Sequence, residues 1–339
     1  MNAQHAGVNR RIVLARRPAD GQDVSHLMLE QSVIQSPGKG QFQIRHLYLA
    51  LSPSARIRMS GDSDYGEGIR LGDVVPGQSI GIVAKSLHPD FHAGDIVATN
   101  GGWQEYSLSG GTAAQKIDAN KVSLQDALGL LGTSGLTAFV GLTGYGHPAP
   151  GKTLVVSAAS GSVGSVVGQI GRILGCRVVG ITGGADKCRY VTQELGFDAA
   201  VDHRLDGWPD ALAEACPDGI DIYFENVGGA VLDAVLPRMA EFGRVVLCGM
   251  ISQYGLSGEL RGPSWFPLLT KRLTVSGFLL RDHYARTQEY LSLASDWIAD
   301  GKLKMRYDVA DGLEQVPAAF ARLLKGQNFG KTLVKLGPL

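Results

Sequence analysis

Seven consecutive residues, Ala158-Ala159-Ser160-Gly161-Ser162-Val163-Gly164, follow the apolar run Leu154-Val155-Val156 and lead into the helical spacing of Val167, Gly168 and Ile170. A dinucleotide pyrophosphate takes hydrogen bonds from backbone amides at such a corner and leaves almost no room for side chains. Gly161 and Gly164 meet that demand, with Ser162 and Val163 between them, and the helix that starts here aims its unpaired amides and positive dipole end at phosphate. The first glycine of the usual fingerprint is Ala159, and a glycine corner alone also serves to close a strand-to-helix turn. A strand before, a helix after and a second apolar strand at 177–181 favour the binding reading. That second strand ends in Thr182-Gly183-Gly184, where an NAD site would place a carboxylate for the ribose 2′-hydroxyl. None stands at the tip, while Lys187 and Arg189 follow, which suits the 2′-phosphate of NADP. Asp186 keeps NAD open, and solvated helix residues are the plain alternative for both cations.

A parallel sheet must carry these residues. From residue 151 onward apolar strands at 153–157, 177–181, 199–202, 220–224, 244–248 and 273–278 alternate with helical spacing at 163–174 and 187–195. Such alternation predicts a doubly wound α/β sheet covered on both faces. Upstream, short strands at 11–15, 27–34, 42–51, 79–84, 95–99 and 104–108 are broken by glycine-rich turns, so the first part of the chain reads as β-rich with few helical connections. Helical spacing appears at 124–131 and 136–142, and an amphipathic segment covers 283–300. A final strand at 331–335 is placed to rejoin the first domain.

The chain of 339 residues, 44% hydrophobic and 19% charged, is long enough for two domains. Lys+Arg and Asp+Glu are both 32, so there is no basic field for nucleic acid or an anionic membrane surface. No run approaches the roughly 18 apolar residues of a membrane span. Residues 1–11 carry His5, Arg10 and Arg11 without an apolar run, unlike a signal peptide, and a cytoplasmic location is expected. Cys176, Cys188, Cys216 and Cys248 are scattered, which suggests neither a disulfide framework nor a zinc knuckle; packing is their default role. A small molecule is the expected partner.

Over nearly its whole length the sequence resembles the zinc-independent branch of the medium-chain dehydrogenase/reductases, and within it the prostaglandin/leukotriene reductases, plant double-bond reductases and bacterial curcumin reductases. The resemblance is carried by Gly161-Ser162-Val163-Gly164, Leu195-Gly196-Phe197-Asp198, Tyr223-Phe224-Glu225-Asn226-Val227-Gly228-Gly229, Cys248-Gly249-Met250-Ile251-Ser252-Gln253-Tyr254 and Asn328-Phe329-Gly330-Lys331. It implies a GroES-like substrate domain over 1–125, completed by 304–339, a Rossmann domain over 126–303, NADPH as cofactor and a homodimer. It further implies that Lys187 contacts the 2′-phosphate beside His203, which stands where the family usually has tyrosine. Asn226 with Cys248, Gly249, Met250, Ile251, Ser252 and Tyr254 would line the adenosine and nicotinamide side, Phe278, Leu279 and Leu280 would pass the nicotinamide, and Asn328 would reach over from the tail. Plainer roles stand beside these: Asn226 as a helix cap, Cys248 as a packed strand residue, and Asn328 with Gly330 as a tail turn. Zinc-dependent relatives use cysteines of the first domain; none precedes Cys176 here, and no metal is expected.

The implied reaction is NADPH-dependent reduction of the C=C bond of α,β-unsaturated ketones or aldehydes, which places hydride on the β-carbon and charge on the carbonyl oxygen. Tyr254 would donate to that oxygen; without the resemblance it would read as a surface tyrosine. Tyr65 matches a tyrosine that approaches substrate in relatives, and a solvated loop residue is the equal alternative. Thr99 and Asn100 fall on the pocket wall where relatives carry larger residues. The family's Asp-Pro-Tyr-Met-Arg is Ser52-Pro53-Ser54-Ala55-Arg56 here, and its Met-Pro-Gly is Thr133-Ser134-Gly135. A quinone or other carbonyl reductase, or a non-catalytic NADPH-binding protein, would share the cofactor residues.

Overall fold

The computed structural model describes residues 7–19, 23–61, 65–254, 256 and 262–338. They form two compact units: Met1–Leu128 with Tyr254–Leu256 and Tyr307–Leu339, and Gly129–Gln253 with Ser257–Arg306.

In the first unit, β1 (Val8–Leu14) and β2 (Leu27–Val33) make an antiparallel hairpin. A larger sheet uses β3 (Phe42–Ala50), β4 (Ser79–Ser86), β5 (Ile96–Thr99), β6 (Tyr106–Ser109) and β7 (Gln115–Lys116). The β3 pairing with β4 shifts register between His46 and Tyr48, and β3 supplies three cores. Leu49 packs with Ile12, Leu14, Trp103 and Phe320, Leu47 with Ile80, Leu128 and Leu333, and Phe42 and Ile44 with Val83, Phe91 and Val97. Burial on both faces suits the unbroken apolar run Leu47-Tyr48-Leu49-Ala50.

The second unit holds six parallel strands: β8 (Thr153–Ser157), β9 (Arg177–Thr182), β10 (Ala199–Asp202), β11 (Ile220–Glu225), β12 (Met239–Leu247) and β13 (Thr274–Gly277). Their order is β10-β9-β8-β11-β12-β13. The chain therefore runs outward from β8 through β10 and returns to the other side of β8 as β11. Ligands of open α/β sheets bind beyond the carboxyl ends of strands at such a reversal. The fold is α/β, a parallel doubly wound sheet with a separate β-rich unit. The helix Gly164–Ile173 approaches β8 closely at Gly171, where a Cβ would lie 2.4 Å from Leu154, and approaches Phe197 at Gly168. A Cβ there would fall 1.9 Å from the Phe197 ring, which is itself buried. Gly168→Ala is expected to lower stability by about 1–3 kcal/mol through overpacking, measurable by urea denaturation.

The last strands, β14 (Tyr307–Asp311) and β15 (Lys331–Lys335), return to the first unit. β15 runs parallel to β14 and antiparallel to β3, giving the order β14-β15-β3-β4-β5-β7 with β6 on β3. Sequence pattern anticipates β15 but not β14. Nor does it anticipate the helix Val316–Leu324, which buries Val316, Ala319, Phe320, Leu323 and Leu324 at helical spacing. The helix Ser54–Met59 is also added to a region expected to have few; it buries Arg56, whose guanidinium donates to Ser60 Oγ at 2.7 Å and the Ala19 carbonyl at 2.8 Å. No helix among the described residues is long and apolar enough to cross a membrane.

Candidate functional site

In the second unit the phosphate corner follows β8 as the sequence indicates. Ala158 takes a φ of 49°, in the region that favours glycine, and the Gly161 amide donates back to the Ala158 carbonyl at 2.8 Å. Gly164 is enforced by close approach, since a Cβ on it would lie 2.5 Å from the Ala158 oxygen. No side chain caps the helix that begins there, so Gly161, Ser162, Val163 and Gly164 present a small-residue corner with its amide end unclaimed by a cap. These features fit a dinucleotide pyrophosphate.

At the tip of β9, Ser160 Oγ and Thr182 Oγ1 lie 2.8 Å apart, and the Gly183 position is covered by Arg204 and His203. A Cβ on Gly183 would come within 2.7 Å of Arg204 Nε and 3.0 Å of His203 Nε2. The His203 amide donates to the Thr182 carbonyl at 3.0 Å, which fixes the end of β10 beside that of β9. Burial of the ring, and then the neighbouring Arg204 charge, lower the His203 imidazole below its ordinary value although the residue is partly exposed. Lys187 lies half-buried in the short helix Ala185–Arg189. Arg189 pairs with the exposed Asp186 within one turn, while Asp202, which faces Thr182 across β10 and β9, accepts from the Arg204 amide at 3.0 Å. Sequence reading did not single out Arg204, because only the pairing of β10 with β9 sets it over Gly183.

Between β11 and β12 the structure brings together two runs that lie far apart in sequence. The Cys248 and Gly249 amides donate to the Glu225 carbonyl at 2.9 and 3.1 Å, Ile251 to Asn226 at 3.2 Å, and Ser252 to Val227 at 2.9 Å. Ser252 Oγ adds a bond to the Val227 carbonyl at 2.6 Å. Met250 and Ser252 also close on Gly228, where a Cβ would sit 3.3 Å from each. Asn226 turns its Nδ2 to the Ser157 carbonyl at 2.8 Å, so its side chain ties β11 to β8 and not to a helix start. Burial, and secondarily the charge of Glu225, push the Cys248 thiol up to about 12, which leaves it a packing residue at neutral pH. Half-buried Tyr254 follows directly on this clamp.

The Phe278 ring joins an aromatic group. Its centroid lies 5.4 Å from Tyr145 and 6.3 Å from His283, and a Cβ on Gly141 would meet it at 2.6 Å. Phe278, Leu279 and Leu280 are all half-buried, so part of each side chain stays accessible.

In the first unit, Thr99 ends β5, and Asn100 is exposed beyond it. The following backbone is held from below: Ser79 Oγ accepts from the Gly101 amide at 3.2 Å, and Gln104 Nε2 donates to the Gly101 carbonyl at 2.8 Å. Buried His46 lies against Gly101, where a Cβ would be 2.2 Å from Cε1, and its Nε2 is 2.8 Å from Ser107 Oγ. Tyr65 is 38% exposed, and its neighbours Asp62, Ser63 and Asp64 lie outside the described residues. Asn328 Nδ2 donates to the Gly330 carbonyl at 2.9 Å, closing a local turn of the tail.

Burial lowers the His46 imidazole to about 3. The ring is neutral in the folded protein, whereas in the unfolded chain it takes up a proton near pH 6.5. The unfolded state then binds more protons between those values, so this group's stability is complete above pH 6.5 and is lost as pH falls toward 3. Each pH unit in that window costs up to about 1.4 kcal/mol. His46→Gln is expected to flatten the loss between pH 6.5 and 4.5, as followed by thermal unfolding; an unchanged slope would remove His46 from the account.

Two family profiles cover most of the chain: "N-terminal domain of oxidoreductase" matches residues 10–117 and "Zinc-binding dehydrogenase" matches residues 162–297. The NADPH-dependent curcumin reductase of Escherichia coli (strain K12) is 43% identical over 334 residues, covering 97% of both chains. This chain belongs to the zinc-independent medium-chain dehydrogenase/reductases. Another member of that group, the NADP(+)-dependent 2-alkenal reductase of Nicotiana tabacum, is 41% identical over 300 residues, with 88% of each chain covered. The crystal structure of CurA in complex with NADPH from Vibrio vulnificus superposes with a TM-score of 0.93 at 42% identity, covering 97% of this chain and 100% of that one. Among the described residues of this medium-chain reductase, no group of three or more His, Cys, Asp or Glu is arranged to hold a metal ion.

Proposed function

We propose that this medium-chain reductase reduces the C=C bond of α,β-unsaturated ketones and aldehydes. It is an NADP-dependent oxidoreductase, and NADPH is its cofactor. When bound, NADPH supplies the hydride that is added to the substrate β-carbon. The protein's tasks are then to orient the substrate and to stabilise the enolate oxygen. Gly161 to Gly164 hold the pyrophosphate, and Lys187, His203 and Arg204 hold the 2′-phosphate. Asn226 and the 248–252 backbone line the nicotinamide side, residues 278–280 pass it, and Asn328 completes the site from the tail. Tyr254 donates its phenolic hydrogen to the enolate oxygen, while Tyr65, Thr99 and Asn100 contact the substrate. In this reading residues 1–125 and 304–339 make the substrate domain, 126–303 the cofactor domain, and the protein works in the cytoplasm.

The observation that supports this most is the clamp of Glu225–Val227 on Cys248–Ser252, because it builds a rigid lining at the sheet's reversal point and ends on a tyrosine. Following NADPH oxidation with an enone, a quinone and a saturated ketone, with product analysis, tests it. A saturated ketone product from the enone is expected; turnover of the quinone alone would overturn the reading.

The same reading includes a homodimer. β13 is the last strand in the order of its sheet, and the nearby Trp265, Phe266 and Leu269 are 54%, 68% and 73% exposed. An open strand edge beside such an apolar surface suits a second copy. Sedimentation of the intact protein is expected to give twice the chain mass, and a monomer at micromolar concentration would overturn it.

A further inference from the structure

Glu225, the last residue of β11, is 0% exposed, yet among the described residues its carboxylate meets only neutral donors. Ser157 Oγ donates to Oε1 at 2.8 Å, Tyr223 OH donates to Oε2 at 2.7 Å, and the Val227 amide donates to Oε1. These three donors suit the ionised, acceptor-only form of the carboxyl group. Retaining such a charge in the interior is costly, and hydrogen bonds alone offset it only when the anion is well satisfied.

The location gives the charge a use. Ser157 and Glu225 end β8 and β11, the two strands on either side of the sheet's reversal. The same Ser157 Oγ accepts from the Asn226 amide at 2.8 Å, and Val227, bonded to the carboxylate, carries the clamp to Ser252. The charge is felt on both sides: after burial itself, it raises the Tyr223 phenol well above its ordinary value and the Cys248 thiol to about 12. A fixed anion enclosed by low-dielectric surroundings acts over longer distances than one in water. The nicotinamide ring is neutral when reduced and positively charged when oxidised, so such an anion discriminates between the two.

We infer that Glu225 is a positioning residue and fixed negative charge beneath the nicotinamide lining, acting through Ser157, Asn226 and Val227 to set the ratio in which the site binds NADP+ and NADPH. This rests on the cofactor reading of Asn226 and 248–252. Glu225→Gln keeps the shape and can keep all three contacts, since the Tyr223 hydroxyl can turn to accept from the new amide. It removes only the charge.

Calorimetric titration of wild type and Glu225→Gln with each form of the cofactor is the test. The variant is expected to lose NADP+ affinity relative to NADPH by about tenfold, a difference of about 1.4 kcal/mol. A residue that merely braced the fold would weaken both forms alike. Should Glu225→Gln not fold, Tyr223→Phe, which takes away one donor to the same carboxylate, is titrated in the same way at fixed pH; its ratio of NADP+ to NADPH affinity is expected to move by about threefold or more. A ratio unmoved in these variants overturns the role of Glu225 and leaves the cofactor reading intact. Failure of folded wild type to bind either form overturns the cofactor reading itself.

Discussion

Tyr254→Phe is expected to lower enone turnover about 100-fold while changing the NADPH dissociation constant less than twofold. The phenol is proposed to donate to an oxygen that is a weak acceptor in the ground state and a strong one as charge collects on it, so its loss falls on kcat more than on KM. Removing one such donor typically costs about 10²–10³ in rate. The ring remains, and so do the backbone bonds from Asn226 to Ser252, so cofactor binding has no reason to change. Single-turnover measurement at saturating NADPH separates the chemical step from release. Turnover within a factor of three of wild type would move the enolate donor elsewhere, with Tyr65 the next residue to replace.

Arg204→Ala is expected to raise the NADPH dissociation constant about 10- to 100-fold and that of NADH less than threefold. The guanidinium lies across Gly183, at the strand end where the adenosine ribose is expected, and it presents several donors to a phosphate. A charged hydrogen bond of this kind contributes about 1.5–3 kcal/mol. Lys187→Ala should act in the same direction, and the double variant should leave little preference between the two cofactors. Equal weakening of NADPH and NADH would mean that Arg204 serves the fold and not the phosphate. His203, lowered by burial and by Arg204, is neutral near pH 7.5 and adds a hydrogen bond more than a charge there.

The sequence makes some of this site legible and hides the rest for identifiable reasons. β8 and β9 declare themselves because every residue from Thr153 to Ser157 is buried, as is Val178 to Thr182, so the apolar runs are unbroken. The corner between them is equally plain, since Gly164 is required by the close approach of the Ala158 carbonyl and Gly161 sits in tight contact with the same oxygen. Arg204, His46 and Glu225 carry no such mark. Each acquires its meaning from a partner elsewhere in the chain: Gly183 for Arg204, Gly101 and Ser107 for His46, Ser157 for Glu225. Asn328 illustrates the opposite limit. Its sequence context suggested both a ligand contact and a tail turn, and the bond to Gly330 supplies the turn while leaving the contact to experiment. The helix Val316–Leu324, though not anticipated, is readable from its spacing, and Pro317 in its first turn is itself a start signal.

β15 lies between β14 and β3, so the β-rich unit draws neighbours from opposite ends of a long stretch of chain. During synthesis the six parallel strands precede Tyr307, and they can close their own core while β3, already paired with β4 and β6, still waits for β15. Assembly is thereby ordered in time: the half expected to grip the nucleotide matures first, and the other half remains dependent on the last segment made, vulnerable to proteases and chaperones until Leu333 and Val334 are seated.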